Sequence, residues 1–539
     1  MASGKGERYR MLKLHILVLA IAWSLTLLTL IGSAIVYQSL EPFRFMGPIL
    51  FSGHLVGMFA FEIYCRFCQR QHTIYRLYGQ LASYREFKEW AKPKELDYNT
   101  EPDKRIGTSR RAQESVQASA HGDSGLESHR SGLDPDRVGA LMRRTQTLRR
   151  VDNRIPLHAS ILRGVRLGVY GVVHDRPLVG VSGMALGTLT RQAVSALSIG
   201  GAEAGVIVNT GEGGVATYHV EGGDACQVEL QFGTGYFGCR TLVGGFDLEK
   251  LVALVARFPQ IVSIQIKGSQ GAKAGHGGFL PREKIEPEYA QIRGIPMDRD
   301  CESPPVHSAF VGPEGLVRFI ACIRKATGKP ITFKMAIGSV TEFDELCQAI
   351  VAFPEGAPDA IQIDGGEGGT GAAYMEVFGQ AALPLNDAIQ VADLLLRRYN
   401  LRDRVKLIGS GQVFQADHIA RVMALGADAV MTARGAKYAL GCVAAGACHK
   451  PGECPSGVAN HGEALDVSVR SKYIANYYRR LIDRLVIFVE PMGLNDIAHL
   501  VGTRTQFMEM RQVKIWRMSD VHMRMALEGA NPVDSLLAT

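Results

Sequence analysis

The chain lacks a strong excess of charge of either sign. Its 539 residues include 60 Lys and Arg against 53 Asp and Glu, which gives a formal net charge of +7 at pH 7. The basic residues gather near the N-terminus and in one polar segment. This distribution is typical of membrane topology rather than of binding to a phosphate backbone, so nucleic acid is not predicted as a partner.

The sequence also lacks a disulfide framework and a dinucleotide-binding fingerprint. Ten Cys are spread over a large chain, and several of them, such as Cys322 and Cys347, lie in apolar helical patterns. This usage favours a reducing compartment. No G-x-G-x-x-G motif opens a strand–helix–strand unit, which argues against a nicotinamide-binding domain.

Aromatic residues are missing between residues 101 and 150, where Ser, Gly, Arg and Asp dominate. Such a segment buries too little apolar surface to offset the entropy of ordering its backbone. The sequence therefore predicts a polar flexible linker over residues 71–150.

Charged residues are absent from two apolar segments near the N-terminus. Residues 16–37 form a run of 22 uncharged residues, and residues 45–61 form a second run of 17 that contains Gly and Pro. The first is long enough to cross a ~30 Å hydrocarbon core as a helix, whereas a re-entrant or interfacial segment is the alternative for the second. Basic residues flank the pair on both outer sides, which places both ends in the cytoplasm. We therefore predict a transmembrane helical hairpin within residues 1–70, integral to the cell membrane and in contact with its lipid, with the catalytic domain facing the cytoplasm.

Beyond about residue 150, short apolar runs alternate with amphipathic helical patterns. Continuous apolar strands separated by helices indicate a parallel sheet that is buried on both faces. Six such units favour an α/β fold of the (β/α)8 TIM-barrel type, predicted over residues 151–463 and followed by a helical extension over 464–539. The predicted strands are 205–208, 261–266, 331–335, 360–363, 405–408 and 427–431, and the predicted helices are 251–258, 316–327, 342–351, 388–398 and 418–424.

Glycine-rich runs follow the predicted strands. In barrels the ligand sits over the C-terminal strand ends, and the last two loops commonly hold a phosphate. Backbone N–H groups in Gly-rich loops can approach phosphate oxygens closely. Five such runs at strand ends predict a cofactor that carries a phosphate. They are residues 209–214, 267–273, 364–371, 409–412 and 432–435.

Several of these runs belong to longer motifs that occur in a fixed order. The motifs are Gly183-Met-Ala-Leu-Gly187, Asn209-Thr-Gly-Glu-Gly-Gly214, Gln270-Gly-Ala-Lys-Ala-Gly-His-Gly-Gly278, Ser303-Pro-Pro305 and Asp364-Gly-Gly-Glu-Gly-Gly-Thr-Gly-Ala372. In this order they resemble the FMN-binding synthase domain of glutamate synthase from about residue 181 to residue 457. Short stand-alone members of that family also share Gly233-Thr-Gly-Tyr-Phe-Gly-Cys-Arg240. The resemblance implies an FMN-dependent oxidoreductase that acts on CH-NH2 groups and makes an amino acid from 2-oxoglutarate and ammonia.

The resemblance also assigns roles to individual residues. Lys273 and Arg293 fall where the family holds the carboxylates of 2-oxoglutarate, and a Lys with an Arg suits a dicarboxylate. Glu212 falls where the family has an acidic residue near the flavin, and Lys334 suits the N1–C2=O edge of the flavin ring. The other residues expected to bind FMN are Met184, Ala185, Asp364, Gly365, Gly366, Ser410, Gly411, Gln412, Ala433 and Arg434.

Two positions depart from the large synthases of this family. His276 and Phe279 stand where those proteins have Glu and Gln, and that Gln touches the 2-oxo acid. His276 is interpreted either as a proton donor or as a hydrogen-bonded loop histidine. The identity of the substrate depends on this region.

Three cysteines crowd into one Gly- and Pro-rich segment. Cys442, Cys448 and Cys454 read C-x5-C-x5-C, with Pro455 directly after the last. The large synthases bind a 3Fe-4S cluster through a similar set that has one residue fewer between the second and third Cys. The resemblance therefore implies a 3Fe-4S cluster here. The alternatives are zinc, with a nearby histidine (His449 or His461) as a fourth ligand, or no metal.

The N-terminal Cys nucleophile of glutaminase domains is not found, because the sequence starts Met-Ala-Ser-Gly. We expect ammonia to come free or from another subunit, and electrons to come from a ferredoxin or a separate reductase. Two other functions are compatible with an FMN barrel. One is a membrane dehydrogenase of 2-hydroxy acids, and the other is a non-catalytic flavoprotein scaffold.

Overall fold

The structure, a computed structural model, describes residues 164–168, 173–273, 275–368, 381–444, 448, 452, 454–459, 465–492, 494 and 496–503, with short pieces at 24, 31, 58, 116–117, 119–121, 141–143, 507–511 and 514–517. The chain divides into two compact units, Met1–Asp97 and Tyr98–Thr539. The predicted membrane segments 16–37 and 45–61 lie almost wholly outside the described residues. Within the described part, no helix is long and apolar enough to cross a membrane.

Eight of the fifteen strands in the described residues run parallel and close into a barrel. The strands are β1 (Leu141–Arg143), β2 (Val165–Leu167), β3 (His174–Arg176), β4 (Val179–Val181), β5 (Ile207–Asn209), β6 (Gln227–Phe232), β7 (Ile261–Lys267), β8 (Phe279–Leu280), β9 (Cys301–Glu302), β10 (Ile331–Met335), β11 (Ala360–Asp364), β12 (Lys406–Ser410), β13 (Ala429–Thr432), β14 (Phe507–Arg511) and β15 (Lys514–Arg517). The barrel order is β4-β5-β6-β7-β10-β11-β12-β13, and β13 pairs with β4. The predicted TIM barrel is confirmed.

Helices follow most of the barrel strands and cover the outside of the barrel. They are α1 (Arg191–Ala204), α2 (Leu248–Arg257), α3 (Pro287–Arg293), α4 (Gly312–Thr327), α5 (Val340–Ala352), α6 (Leu385–Arg398), α7 (Ala416–Leu425), α8 (Arg434–Ala439) and α9 (Val467–Val489). Short 3-10 helices, Thr217–Val220 and Gly223–Ala225, stand between β5 and β6.

Local sequence explains where these elements start and stop. The side chains of Thr190, Ser339 and Asp466 each accept a hydrogen bond from a first-turn backbone N–H, which caps α1, α5 and α9. Gly205 ends α1 with a φ of 68°, a left-handed conformation that glycine adopts readily. The predicted strand 205–208 therefore starts too early, and β5 begins at Ile207.

The N-terminal end of the barrel is closed by the β2–β3 hairpin. Arg176 at the end of β3 enters the barrel interior, where its Nη1 lies 2.7 Å from Glu229 Oε1 and both side chains are fully buried. Glu229 also accepts hydrogen bonds from Asn209 Nδ2 at 2.8 Å and Thr332 Oγ1 at 3.0 Å. The buried carboxylate is thus compensated by one cation and by neutral donors, as a buried charge requires.

Parts of the predicted linker and extension differ from expectation. Residues 116–121 include a buried helical piece, in which Ser119 accepts a hydrogen bond from Arg484 of α9 at 2.6 Å. The prediction of an unstructured linker is wrong at these residues, because small side chains such as Ala120 fit closely against a long helix. In the extension, β14 pairs with β1 and β15, so the segment 464–539 is not wholly helical.

Candidate active site

A cavity lies over the C-terminal ends of the barrel strands. Its walls come from strand ends and loops around the barrel, which is where the ligand of a TIM barrel is held. The side chains and loops that reach it include Ser182, Glu212, Gln231, Lys267, Lys334, Asp364, Ser410 and Ala433.

The structure brings most of the predicted cofactor-binding residues together on one side of this cavity. Gly365 and Gly366 are the exceptions, because they are not part of the cavity lining. Their backbone N–H groups donate hydrogen bonds to Ser410 O and Leu383 O, each at 2.8 Å. The predicted residues that line the cavity are Met184, Ala185, Lys334, Asp364, Ser410, Gly411, Gln412, Ala433 and Arg434.

Close packing of its backbone against two side chains explains why residue 183 on this wall is glycine. A Cβ atom at Gly183 would lie 2.6 Å from Asn209 Oδ1 and 2.9 Å from Gln231 Nε2, which is closer than real Cβ atoms come. A side chain at this position would displace these buried amides, whereas glycine lets the loop after β4 rest on them. The loop then presents Met184 and Ala185 to the cavity.

Lys334 is the buried cation on the cofactor side. It stands near the end of β10, and its Nζ lies 3.3 Å from Asp364 Oδ2. The same carboxylate oxygen accepts a hydrogen bond from the backbone N–H of Gly271 at 3.1 Å. Asp364 thus pairs with the buried Lys334 ammonium, and both groups line the cavity, where Lys334 can also face an anionic ligand edge.

Two lysines and one carboxylate line the cavity at the ends of β5 and β7, next to the strand that carries Lys334. Lys267 Nζ lies 2.7 Å from Glu212 Oε1, and both side chains are largely buried. Lys273 belongs to the 3-10 helix Gly271–Lys273 and donates from Nζ to Gly277 O at 2.5 Å. Lys267 was not predicted as a site residue. Its signal in the sequence was its place directly after the predicted strand 261–266, at the start of a Gly-rich run.

This grouping shifts the pKa values of its members in opposite directions. Burial alone would raise the pKa of Glu212, but the ion pair and hydrogen bond from Lys267, with help from Lys273 and Arg293, lower it to about 2. Burial, followed by repulsion from Lys267, lowers the pKa of Lys273 to about 8. Glu212 is therefore ionised at neutral pH. Lys273 changes from its charged to its neutral form as the pH rises through about 8.

Two residues that were predicted to be catalytic, Arg293 and His276, lie outside the described lining of the cavity. Arg293 ends α3 and is buried, with Nη2 donating to Leu186 O at 2.6 Å and its guanidinium 5.1 Å from the Phe237 ring centroid. It does not belong to the described cavity lining, and its contacts support the wall. His276 is exposed and also lies outside the described lining, whereas Phe279 lines the cavity.

The three cysteines of the predicted cluster all reach the cavity. Cys442 is buried, and Cys448 and Cys454 are half-buried. Lys284, in the 3-10 helix Arg282–Lys284 after β8, contacts their segment, since its Nζ donates to Cys448 O at 3.0 Å and to Ala459 O at 2.9 Å. Among the residues that the structure describes, no three His, Cys, Asp or Glu side chains are arranged to hold a metal ion. The alternative zinc ligands, His449 and His461, lie outside the described residues.

Comparisons with known proteins agree with the barrel and its motifs. A family model described as the conserved region in glutamate synthase matches residues 169–495. The glutamate synthase large subunit-like protein YerD of Bacillus subtilis (strain 168) is 36% identical over 327 residues, which cover 60% of this chain and 61% of that protein. The archaeal glutamate synthase (NADPH) of Methanocaldococcus jannaschii is 31% identical over 338 residues, or 61% of either chain. The chain thus spans about three fifths of the length of these curated relatives.

A solved structure of mutant flavocytochrome b2 with pyruvate bound gives a TM-score of 0.40 at 13% identity, over 80% of this chain and 87% of that chain.

Proposed function

We propose that the barrel of this chain, which belongs to the glutamate synthase family, is an FMN-dependent oxidoreductase. The reaction we assign is the reductive amination of a 2-oxo acid, 2-oxoglutarate, with ammonia. One observation carries this assignment. A single cavity joins a glycine-lined cofactor wall, with the buried cation Lys334, to a substrate wall that holds Glu212, Lys267 and Lys273.

The residues present fit FMN. The loops at Gly411 and Gln412 and at Ala433 and Arg434 would hold the phosphate, because they are the last two strand-end loops of the barrel. Lys334 would face the N1–C2=O edge, where a cation favours the reduced anionic ring. When bound, FMN supplies hydride transfer, and the protein supplies orientation and charge.

The substrate wall binds and orients the other reactants. The Lys273 ammonium suits a carboxylate of the 2-oxo acid, and its pKa of about 8 lets Nζ release or take up a proton near neutral pH. Ionised Glu212 only accepts hydrogen bonds, which suits the N–H groups of ammonia. Lys267 keeps Glu212 ionised. Arg293 is assigned to support of the Leu186 backbone, because that is what its guanidinium contacts.

Flavin content tests the cofactor assignment. The purified protein is expected to hold one FMN per chain and no FAD, because the loops offer one monophosphate site and no adenine-binding unit was found in the sequence. Acid extraction followed by chromatography of the released flavin measures this. A folded protein that releases FAD, or no flavin, would remove the basis of the proposal.

We further propose that Cys442, Cys448 and Cys454 would hold a 3Fe-4S cluster, which would supply electron transfer from a ferredoxin or a separate reductase. What supports this is that all three cysteines reach the same cavity as the cofactor wall, and that their segment is tied to the barrel by Lys284. A three-iron cluster needs only three thiolates. The wider spacing before Cys454 adds at most ~3.5 Å of chain, which a turn can accommodate.

Metal analysis and paramagnetic resonance test the cluster. Anaerobically prepared protein is expected to contain about three irons per chain, the number in such a cluster, and to show the oxidised three-iron signal. Cys448→Ser should abolish the signal and block reduction by an iron–sulfur donor, while a small artificial reductant still reduces the flavin. Cys322→Ser, at an exposed cysteine on α4, is the matched control and should keep both. Stoichiometric zinc in place of iron would contradict the assignment.

Membrane attachment through residues 1–70 is also proposed, on the uncharged runs 16–37 and 45–61 and their basic flanks. The chain would then be recovered with membranes through a salt wash, and deletion of residues 1–70 should release a flavin-bound protein. Recovery of the full chain in the high-speed supernatant would exclude this attachment.

A further inference from the structure

Helix α9, outside the predicted barrel boundary, packs along the seam where the barrel closes. It lies against α1, which follows the first barrel strand, and against α7 and α8, which flank the last. Two adjacent tyrosines face this seam: Tyr477 is 2% exposed and Tyr478 is fully buried. A buried Tyr hydroxyl needs a hydrogen-bond partner, and both hydroxyls find one at a strand-end loop.

Tyr477 contacts the loop that follows β12. Its hydroxyl donates to Phe414 O at 3.0 Å, and Phe414 is itself part of the cavity wall. The same hydroxyl fixes the start of α8, because a Cβ atom at Gly435 would lie only 2.1 Å from Tyr477 Oη. Glycine at 435 is therefore required by the tyrosine behind it.

Tyr478 contacts the strand that carries the other phosphate loop. Its hydroxyl lies 2.7 Å from Thr432 Oγ1, at the last residue of β13, and Ala433 of the cavity wall follows directly. The Thr432 carbonyl in turn accepts a hydrogen bond from the backbone N–H of Ser182 at 2.9 Å. The two tyrosine rings pack edge to face, with centroids 4.9 Å apart.

We propose that Tyr477 and Tyr478 are positioning residues for the cofactor phosphate, and that α9 is part of the cofactor site. Each hydroxyl holds one of the two loops, 411–414 and 432–435, and the packed rings fix the distance between them. The inference rests on the proposed function, since it requires the FMN phosphate to lie between these loops. It assigns to the extension a role that no motif in the sequence indicated.

The comparison of FMN with riboflavin tests this role, because riboflavin has the same ring system and no phosphate. In full-length protein freed of flavin, Tyr477→Phe and Tyr478→Phe should each raise the Kd for FMN about three- to tenfold, the value of one hydrogen bond. The Kd for riboflavin should stay within about twofold, since no contact to the ring changes. Tyr473→Phe, on the same helix but edge-on to His121, is the matched control and should change neither.

The outcomes separate cleanly. A loss of preference for FMN over riboflavin in both variants supports the inference. A parallel loss of both flavins, or no change in either, overturns it, because the tyrosines would then act on the barrel as a whole or not at all. If wild-type protein binds neither flavin, the proposed function fails, and the inference fails with it. If Tyr478→Phe does not fold, Thr432→Val removes the same hydrogen bond from the loop side and must give the same result.

Discussion

Replacement of Glu229 by Ala is expected to lower the free energy of unfolding by about 3–5 kcal/mol, the usual cost of leaving a buried charge without its partner. Glu229 is the only carboxylate described within ion-pair distance of Arg176, whose guanidinium is fully buried inside the barrel. Without it, the Arg176 guanidinium loses its ion pair and both of the hydrogen bonds that it donates to this carboxylate. Chemical denaturation followed by circular dichroism measures the change.

The control for this variant is at Asp175, the residue next to Arg176 in the sequence. Asp175→Ala removes an ion pair with Arg166 in which both side chains are more than half exposed, so its effect should stay below about 1 kcal/mol. The double variant Arg176→Met, Glu229→Met should recover much of the loss, because it leaves no buried charge. A single variant as stable as the wild type would show that the ion pair does not brace the barrel.

Replacement of Lys273 by Met is expected to lower kcat/KM for 2-oxoglutarate about ten- to a hundredfold, which corresponds to the 1.5–3 kcal/mol of a hydrogen bond to a charged group. The Lys273 ammonium is buried in the cavity wall, so in the Met variant water does not take its place beside the bound carboxylate. FMN content should not change, because Lys273 stands on the substrate wall. Lys250→Met on α2, at a half-exposed lysine, is the control and should leave turnover unchanged.

The dependence on pH follows from the lowered pKa of Lys273. Its Nζ carries a charge below a pKa of about 8 and loses it above. KM for 2-oxoglutarate should therefore rise as pH increases through about 8, by up to tenfold per unit for one proton. Lys273→Arg keeps its charge to much higher pH and should flatten this rise. A KM that falls with increasing pH would show that Lys273 does not hold the substrate carboxylate.

The sequence predicted six of the eight barrel strands and missed β4 and β6. The predicted strand 331–335 coincides with β10, in which all five residues are buried. By contrast, β6 reads Gln-Val-Glu-Leu-Gln-Phe, and its charge hid a strand whose Glu229 points into the barrel. The three-residue strand β4 is too short to show any periodicity. β4 and β6 are identified as strands only by their pairing with neighbouring strands in the closed barrel.

The candidate site was predictable where glycine and strand ends coincide. Met184 lies in the loop after β4, Ser410 ends β12 and Ala433 follows β13, and all three line the cavity. Side-chain direction was not predictable from spacing. Arg293 stands at the end of a short helix, and whether it turned to the cavity or to Leu186 O depended on packing against Phe237. Likewise, no pattern in the sequence linked Tyr477 and Tyr478 to the loops they support.

The most direct test of the assigned reaction is the reoxidation of the reduced protein under anaerobic conditions. We predict that 2-oxoglutarate and an ammonium salt, mixed together with flavin-reduced protein, restore the oxidised flavin spectrum and form one glutamate per flavin, whereas either alone does not. Stopped-flow absorbance with amino-acid analysis of the quenched mixture measures both. A reduced flavin that persists with both reactants present, or an oxidised flavin that a 2-hydroxy acid reduces, would contradict the account.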